Sequence, residues 1–190
     1  MPVGFDATAF RSKLQYGGAR PNLYEVVVSM PGEAGAASEE FTFMCRAASM
    51  PGMTVGVVQV PYFGRFIKLA GDRQFEDWSV RVINDEDFLV RNAFEAWQNR
   101  LAMLDHGTPA IENAAAVGGH EMLYVDITVT QLAKDGATPL KRYHLKKAMP
   151  TMIGPIELAY DANDQIEEFD VVFAYDYFVT DEIDGMSVSI

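Results

Sequence analysis

QIEEFDVVFAYDYF, residues 165–178, alternates as a β-strand does. Its odd positions read Glu167, Phe169, Val171, Phe173, Tyr175 and Tyr177, and its even positions Glu168, Asp170, Val172, Ala174, Asp176 and Phe178. Successive strand side chains point to opposite faces. One face is therefore aromatic and aliphatic, the other small and acidic. Met152 to Tyr160 is expected to pair with this strand through a turn at 161–164, where Asp and Asn are ordinary turn residues.

The same period recurs upstream. Leu123, Val125, Ile127 and Val129 alternate with Tyr124, Asp126, Thr128 and Thr130, and Trp78, Val80 and Val82 with Asp77, Ser79 and Arg81. Asn22–Met30 and Glu40–Ala47 read as β-rich runs joined by a Gly/Ala loop over 31–38, a hairpin. Residues 48–66 read as an irregular excursion with some strand content, and Ala70–Arg73 as a turn into the Trp78 strand. Pro139–Lys147 is a basic strand candidate. One helix stands out. Asn84 reads as its N-cap, and Asp85, Glu86 and Asp87 suit the helix dipole. Val90, Phe94, Trp97, Leu101 and Leu104 form an apolar stripe ending before Gly107 and Pro109. Many strands and one helix predict a mainly antiparallel β-sandwich or barrel with one packed helix.

The chain has 190 residues, of which 49% are hydrophobic. That is the length of one domain. It carries 27 acids against 15 bases, a net charge of −12. Such a balance argues against gripping nucleic acid by phosphate neutralisation. The charge is uneven: residues 1–147 hold 17 acids and all 15 bases, a balance of −2, whereas residues 148–190 hold 10 acids and no Lys or Arg. No stretch of 18 apolar residues suggests a membrane-spanning helix. The N-terminal MPVGFDATAFRSKL has Asp6 where a secretory signal has its apolar core, so a cytoplasmic origin is expected.

Catalytic and metal-binding constellations do not emerge. His106, His120 and His144 are too far apart for a paired ligand motif. Cys45, read on one strand face with Phe41 and Phe43, is expected to be a buried thiol. Asp161 and Asn163 resemble the start of a calcium loop, but Ile166 stands where that loop needs Gly and Val172 where it needs Glu. Gly17-Gly18 and Gly118-Gly119 lack the strand-to-helix setting of a phosphate loop, and no nucleophile elbow is present. No enzyme, cofactor or metal is expected.

One long passage is specific. FTFMCRAASMPG (41–52) leads to VPYFGRFIKLAGDRQFEDWSVRVINDEDFLVRNAFEAWQN (60–99), and PTMIGPIELAYDANDQIEEFDVVFAYDYF (150–178) stands near the end. In order and spacing, from about Arg20 to Phe178, the chain resembles the tail tube proteins of contractile-tailed bacteriophages, relatives of the hemolysin-coregulated protein tubes. The resemblance implies a single tail-tube domain over 1–190, with an N-terminal arm at 1–20 and a tail at 179–190. It implies a structural virion protein whose hexameric rings stack into a hollow conduit inside a contractile sheath. The implied partners are further copies of the chain, the sheath, baseplate and terminator proteins and a tape measure protein in the bore, through which DNA passes without specific binding. The implied place is the virion tail, assembled in the host cytoplasm. A baseplate initiator or terminator, or the tube of a bacterial injection system, is the alternative.

The strand faces then acquire expected roles. Asp77, Ser79, Arg81, Asp126, Thr128, Thr130, Glu157, Glu168, Asp170 and Asp176 are the candidate bore lining, whose acidity would repel the DNA backbone. Met50, Pro51, Met53, Tyr62 and Phe63 are candidates for ring stacking, because loops that cannot bury their apolar groups alone seek a partner. Glu86, Arg91, Glu95 and Gln98, on the polar side of the helix, are candidates for facing the sheath.

Overall fold

The computed structural model describes residues 7–14, 18–31, 35–101, 123–161 and 163–181. In chain order these form α1 (Ala7–Lys13), β1 (Tyr24–Val28), α2 (Gly35–Met44), β2 (Cys45–Ala48), β3 (Met53–Tyr62), β4 (Arg65–Phe75), β5 (Trp78–Ile83), α3 (Leu89–Leu101), β6 (Val125–Leu132), β7 (Pro139–Ile153), β8 (Glu168–Ala174) and β9 (Tyr177–Thr180). The fold is mainly antiparallel β with α3 packed on its core, as expected. Leu104, Gly107, Pro109, His106 and His120 lie outside the described residues.

Seven strands form one sheet in the order β1-β6-β7-β8-β5-β2, with β9 also on β7. The long β7 serves both halves: Lys146 pairs Tyr177 of β9, and Met149 pairs Ala174 of β8. One face of the sheet is the core. Val26 and Val28, Val80 and Val82, Ile127 and Val129, Leu145, and Phe169, Val171 and Phe173 are all buried there. Phe41 of α2 and Phe94 and Trp97 of α3 complete it. Phe94 meets Phe41 edge-on with ring centroids 5.6 Å apart, and Phe173 at 5.8 Å. Both helices therefore lock to β8 through one aromatic cluster, in the edge-to-face geometry that ring quadrupoles favour. The buried indoles are satisfied: Trp78 Nε1 donates to the Ser49 carbonyl at 2.7 Å and Trp97 Nε1 to that of Leu123 at 2.9 Å. A buried N–H left without such a partner would be costly.

Four expectations need correction. First, no 22–47 hairpin forms. Residues 35–44 are a helix, β1 pairs β6, and β2 pairs β5. The Ala-Ala-Ser-Glu-Glu run at 36–40 favours a helix and outweighs the brief alternation after it. Phe41 accordingly faces in and Phe43 out, while Cys45 is buried at the start of β2. Second, residues 53–75 form a regular hairpin, with Ala70–Arg73 inside β4 at a bulge opposite Gly56. Third, the final strand breaks at Tyr175–Asp176, which resets the alternation, so Phe178 is buried and Tyr177 exposed. Only Met149–Ile153 of the upstream partner pairs with β8, and none of the described residues between 154 and 167 is in a strand. Fourth, Asn84 does not cap α3. Its amide Nδ2 donates to Glu167 Oε2 at 2.9 Å, while Asp87 Oδ1 accepts the Leu89 N–H at 2.9 Å.

Candidate functional site

Two surfaces have chemistry to spare, beginning with the β3–β4 hairpin. Its tip is a two-residue turn, Phe63-Gly64, with φ of +44° and +80°. Consecutive left-handed residues make the mirror-image turn that matches strand twist. The ten residues of β3, at about 3.3 Å each, carry the tip roughly 33 Å along the strand direction. Phe75 holds the root, its ring 5.4 Å from that of Phe178. From Gly52 to Ala70 every residue is exposed.

That arm is far too apolar for water. The register places Val58 opposite Leu69 and Val60 opposite Ile67, with Tyr62 beyond them, on one face. Val57, Pro61 and Phe66 lie on the other. Neither face is covered by the described residues, and hydrophobic surface of this extent marks an interaction site. Met53, Tyr62 and Phe63, expected to stack rings, belong to the arm, and Met50 is exposed near its root. Pro51, expected to be exposed, is buried where the chain enters the hairpin.

The second surface is the sheet face opposite the core. Ser79 and Arg81 on β5 and Glu168 and Asp170 on β8 are brought together there. Arg81 is bidentate to its register partner Asp170, with Nε donating to Oδ1 at 2.8 Å and Nη2 to Oδ2 at 3.1 Å. Those hydrogen bonds hold the Asp170 carboxyl below the ordinary carboxylate range. Arg46 of β2 pairs with Glu168, and Lys146 of β7 with Asp126. Thr128 Oγ1 lies 3.1 Å from His144 Nδ1, and Asp181 accepts Arg142 Nη1 at 3.1 Å with its other oxygen 2.9 Å from His144 Nε2.

Residue by residue, the expected lining scatters more than the alternation suggests. Thr130 is buried between Glu25 of β1 and Arg142 of β7, which removes it from the exposed face. Asp77 and Asp176 sit in the short connections before β5 and β9, and Glu157 in the β7–β8 connection, all exposed but off the strands. Sequence reasoning counts one base on this face. It misses Arg46, Arg142, His144 and Lys146, although the even positions 142, 144 and 146 of a basic strand must share a side. The face is ion-paired rather than acidic.

On α3, Glu95 is exposed and Gln98 half-buried, while Glu86 precedes the helix. Arg91 is a strut, not an outward-facing residue. Its guanidinium lies 5.2 Å over the Phe169 ring, donates to the Gly154 carbonyl at 3.2 Å and pairs with Glu95. Cys45 offers no nucleophile, since burial pushes its thiol up to about 12. Glu40, Asp85 and Asp87 bring carboxylate oxygens within 4.8 Å of one another at the surface, where α2 meets the start of α3.

Comparison with known proteins fits this geometry. The family model described as phage tail tube protein matches residues 19–181. Tail tube protein gp19 of Enterobacteria phage T4 is 35% identical over 164 residues, covering 84% of this chain and 90% of its own. The tail tube protein of Serratia phage KSP90 is 27% identical over 177 residues, covering 90% and 95%. Among solved structures, the tube-terminating cap of the anti-feeding prophage superposes with a TM-score of 0.63 at 15% identity, covering 96% of this chain and 100% of its own. A chain of the sheath–tube complex of an extracellular contractile injection system gives 0.58 at 14% identity, covering 94% and 99%. These two likenesses speak to the fold.

Proposed function

We propose, from the premise that this chain belongs to the phage tail tube protein family, that it is the major tube subunit of a contractile tail, built by six-membered rings stacked into a hollow conduit. Its role is structural rather than catalytic. The observation that carries the reading is the β3–β4 arm, a hairpin with apolar side chains on both faces and exposed from Gly52 to Ala70 among the described residues, a surface that further copies of the chain would cover. The ion-paired sheet face lines the bore. There Arg46, Arg81, Arg142 and Lys146 are each engaged by a carboxylate. A DNA backbone sliding past therefore meets few bases free to hold it. The outer side of α3, with Glu95, faces the sheath, and a tape measure protein occupies the bore until the genome passes.

The test is assembly. The purified chain is imaged by negative-stain electron microscopy over a concentration series, beside a variant in which residues 57–70 are replaced by a short turn. Tubes from the parent and none from the shortened chain support the reading. Tubes from the shortened chain would remove the arm from the assembly.

A further inference from the structure

The charge imbalance between the two parts of the chain finds a use in the connection between β7 and β8. Both of its ends are pinned. The Gly154 N–H donates to the Asp170 carbonyl at 2.6 Å while the Gly154 carbonyl accepts from Arg91, and at the far end Asn84 Nδ2 donates to Glu167. Between these ends Leu158 is 80% exposed, Ile166 71% and Tyr160 fully so. Glu157, Asp161 and Asp164 stand among them with no base in the segment, and none of the three makes an ion pair among the described residues. The loop is therefore held out, apolar and negative.

The arm is its complement. It carries Arg65, Lys68 and Arg73 against the single acid Asp72. None of those bases makes an ion pair among the described residues. Around them Phe63, Phe66, Ile67 and Leu69 are exposed. Each surface has what the other lacks, and both combine apolar area with unpaired charge. Such pairing steers association and fixes register.

We propose that the β3–β4 arm of one copy docks on the β7–β8 loop of a second copy, with Lys68 and Arg73, on the hairpin face that carries Phe66, and Arg65, beside the turn, against Glu157, Asp161 and Asp164, and the apolar side chains of that face and of the loop packed between. The inference rests on the tube reading and specifies the site that receives the arm. DNA is the wrong partner for this loop, whose charge repels it. The surface at Glu40, Asp85 and Asp87 is the rival acidic receptor, and it includes the exposed Phe43 and Phe88.

A charge swap tests it. The R65E/K68E/R73E variant is expected to raise the critical concentration for tube assembly about ten-fold or more, the scale of three exposed ion pairs together. Adding E157K/D161K/D164K to the same chain is expected to restore assembly to within about three-fold of the parent. Thermal midpoints confirm that each variant is folded. A second readout needs no rescue: K68C and D161C copies, mixed before assembly, are expected to form a disulfide-linked dimer in tubes, with Cys45 buried and inert.

Assembly of the arm variant at the parent's concentration, failure of the loop reversal to restore it, restoration by E40K/D85K/D87K instead, or absence of the cross-link in tubes each overturns the proposal. The shortened arm separates the two levels. If it abolishes tubes while charge reversal does not, the docking site is wrong and the arm reading stands; if tubes form without the arm, both fall.

Discussion

Replacing Val58, Val60, Ile67 and Leu69 together by Thr should leave the subunit folded and cripple its assembly. The four share one face of the arm and are each between 40 and 53% exposed. Together they hold about two side chains' worth of uncovered apolar surface, and full burial of one such side chain is worth roughly 1.5–3 kcal/mol. Thr keeps the β-preference and part of the apolar volume, so about half of that is lost. The expected cost is about 2–3 kcal/mol per docked arm, a factor of roughly 30 to 150 in the association constant. Sedimentation over a dilution series reads the critical concentration, and the thermal midpoint of the dilute chain reads folding. Because these side chains are not buried in their own subunit, the midpoint should move by no more than about 2 °C. Assembly at the parent's concentration, or a collapse of the midpoint, would show that the arm rests on its own body.

Other perturbations reach the core, the connections and the ion-paired sheet face. Phe94→Ala removes the ring that joins α2, α3 and β8. It should cost about 3–5 kcal/mol, lowering the thermal midpoint by about 10 °C or more. Gly154→Ala places a Cβ 3.0 Å from the Asp170 carbonyl oxygen, so the backbone beside β8 must give by a few tenths of an ångström. Denaturant melts should show a loss of about 1–3 kcal/mol. Asp170, held low by Arg81, contributes stability at neutral pH that fades as the pH falls below about 4 towards its folded value, and in Arg81→Met the acid limb of the stability curve should flatten. Glu168→Lys with Asp170→Lys frees Arg46 and Arg81 and adds two bases. Tubes should form normally while genome delivery slows about ten-fold or more; unchanged delivery would take this face out of the bore.

Where alternation runs unbroken, the sequence is a sound guide. Period alone places Trp78, Val80 and Val82 and Phe169, Val171 and Phe173 on the core face, and helical spacing does the same for Val90, Phe94 and Trp97. The period fails where the backbone departs from it. The bend at Tyr175–Asp176 puts Phe178 rather than Tyr177 inside, because one irregular residue exchanges the faces of everything after it. The arm reads as irregular because Gly56, Pro61, Gly64 and Gly71 look like breakers, yet in a two-stranded hairpin they form the bulge, an edge position and the turn. The α2 error comes from trusting three alternating apolar residues over the four helix formers Ala36, Ala37, Glu39 and Glu40. The ion-paired face is half legible: Asp126, Glu168 and Asp170 lie on their strands' own even positions and Lys146 meets Asp126 across the β6–β7 hairpin, but Arg46 and Arg142 meet Glu168 and Asp181 only through partners distant in sequence.

Cryo-electron microscopy of tubes assembled from the purified chain tests the tube reading most directly. It should resolve stacked six-fold rings, with the Arg81–Asp170 pair facing the bore, α3 on the outside and each β3–β4 arm seated on another copy. Single subunits at every concentration, or tubes in which α3 lines the bore and the ion-paired sheet faces outward, would contradict it.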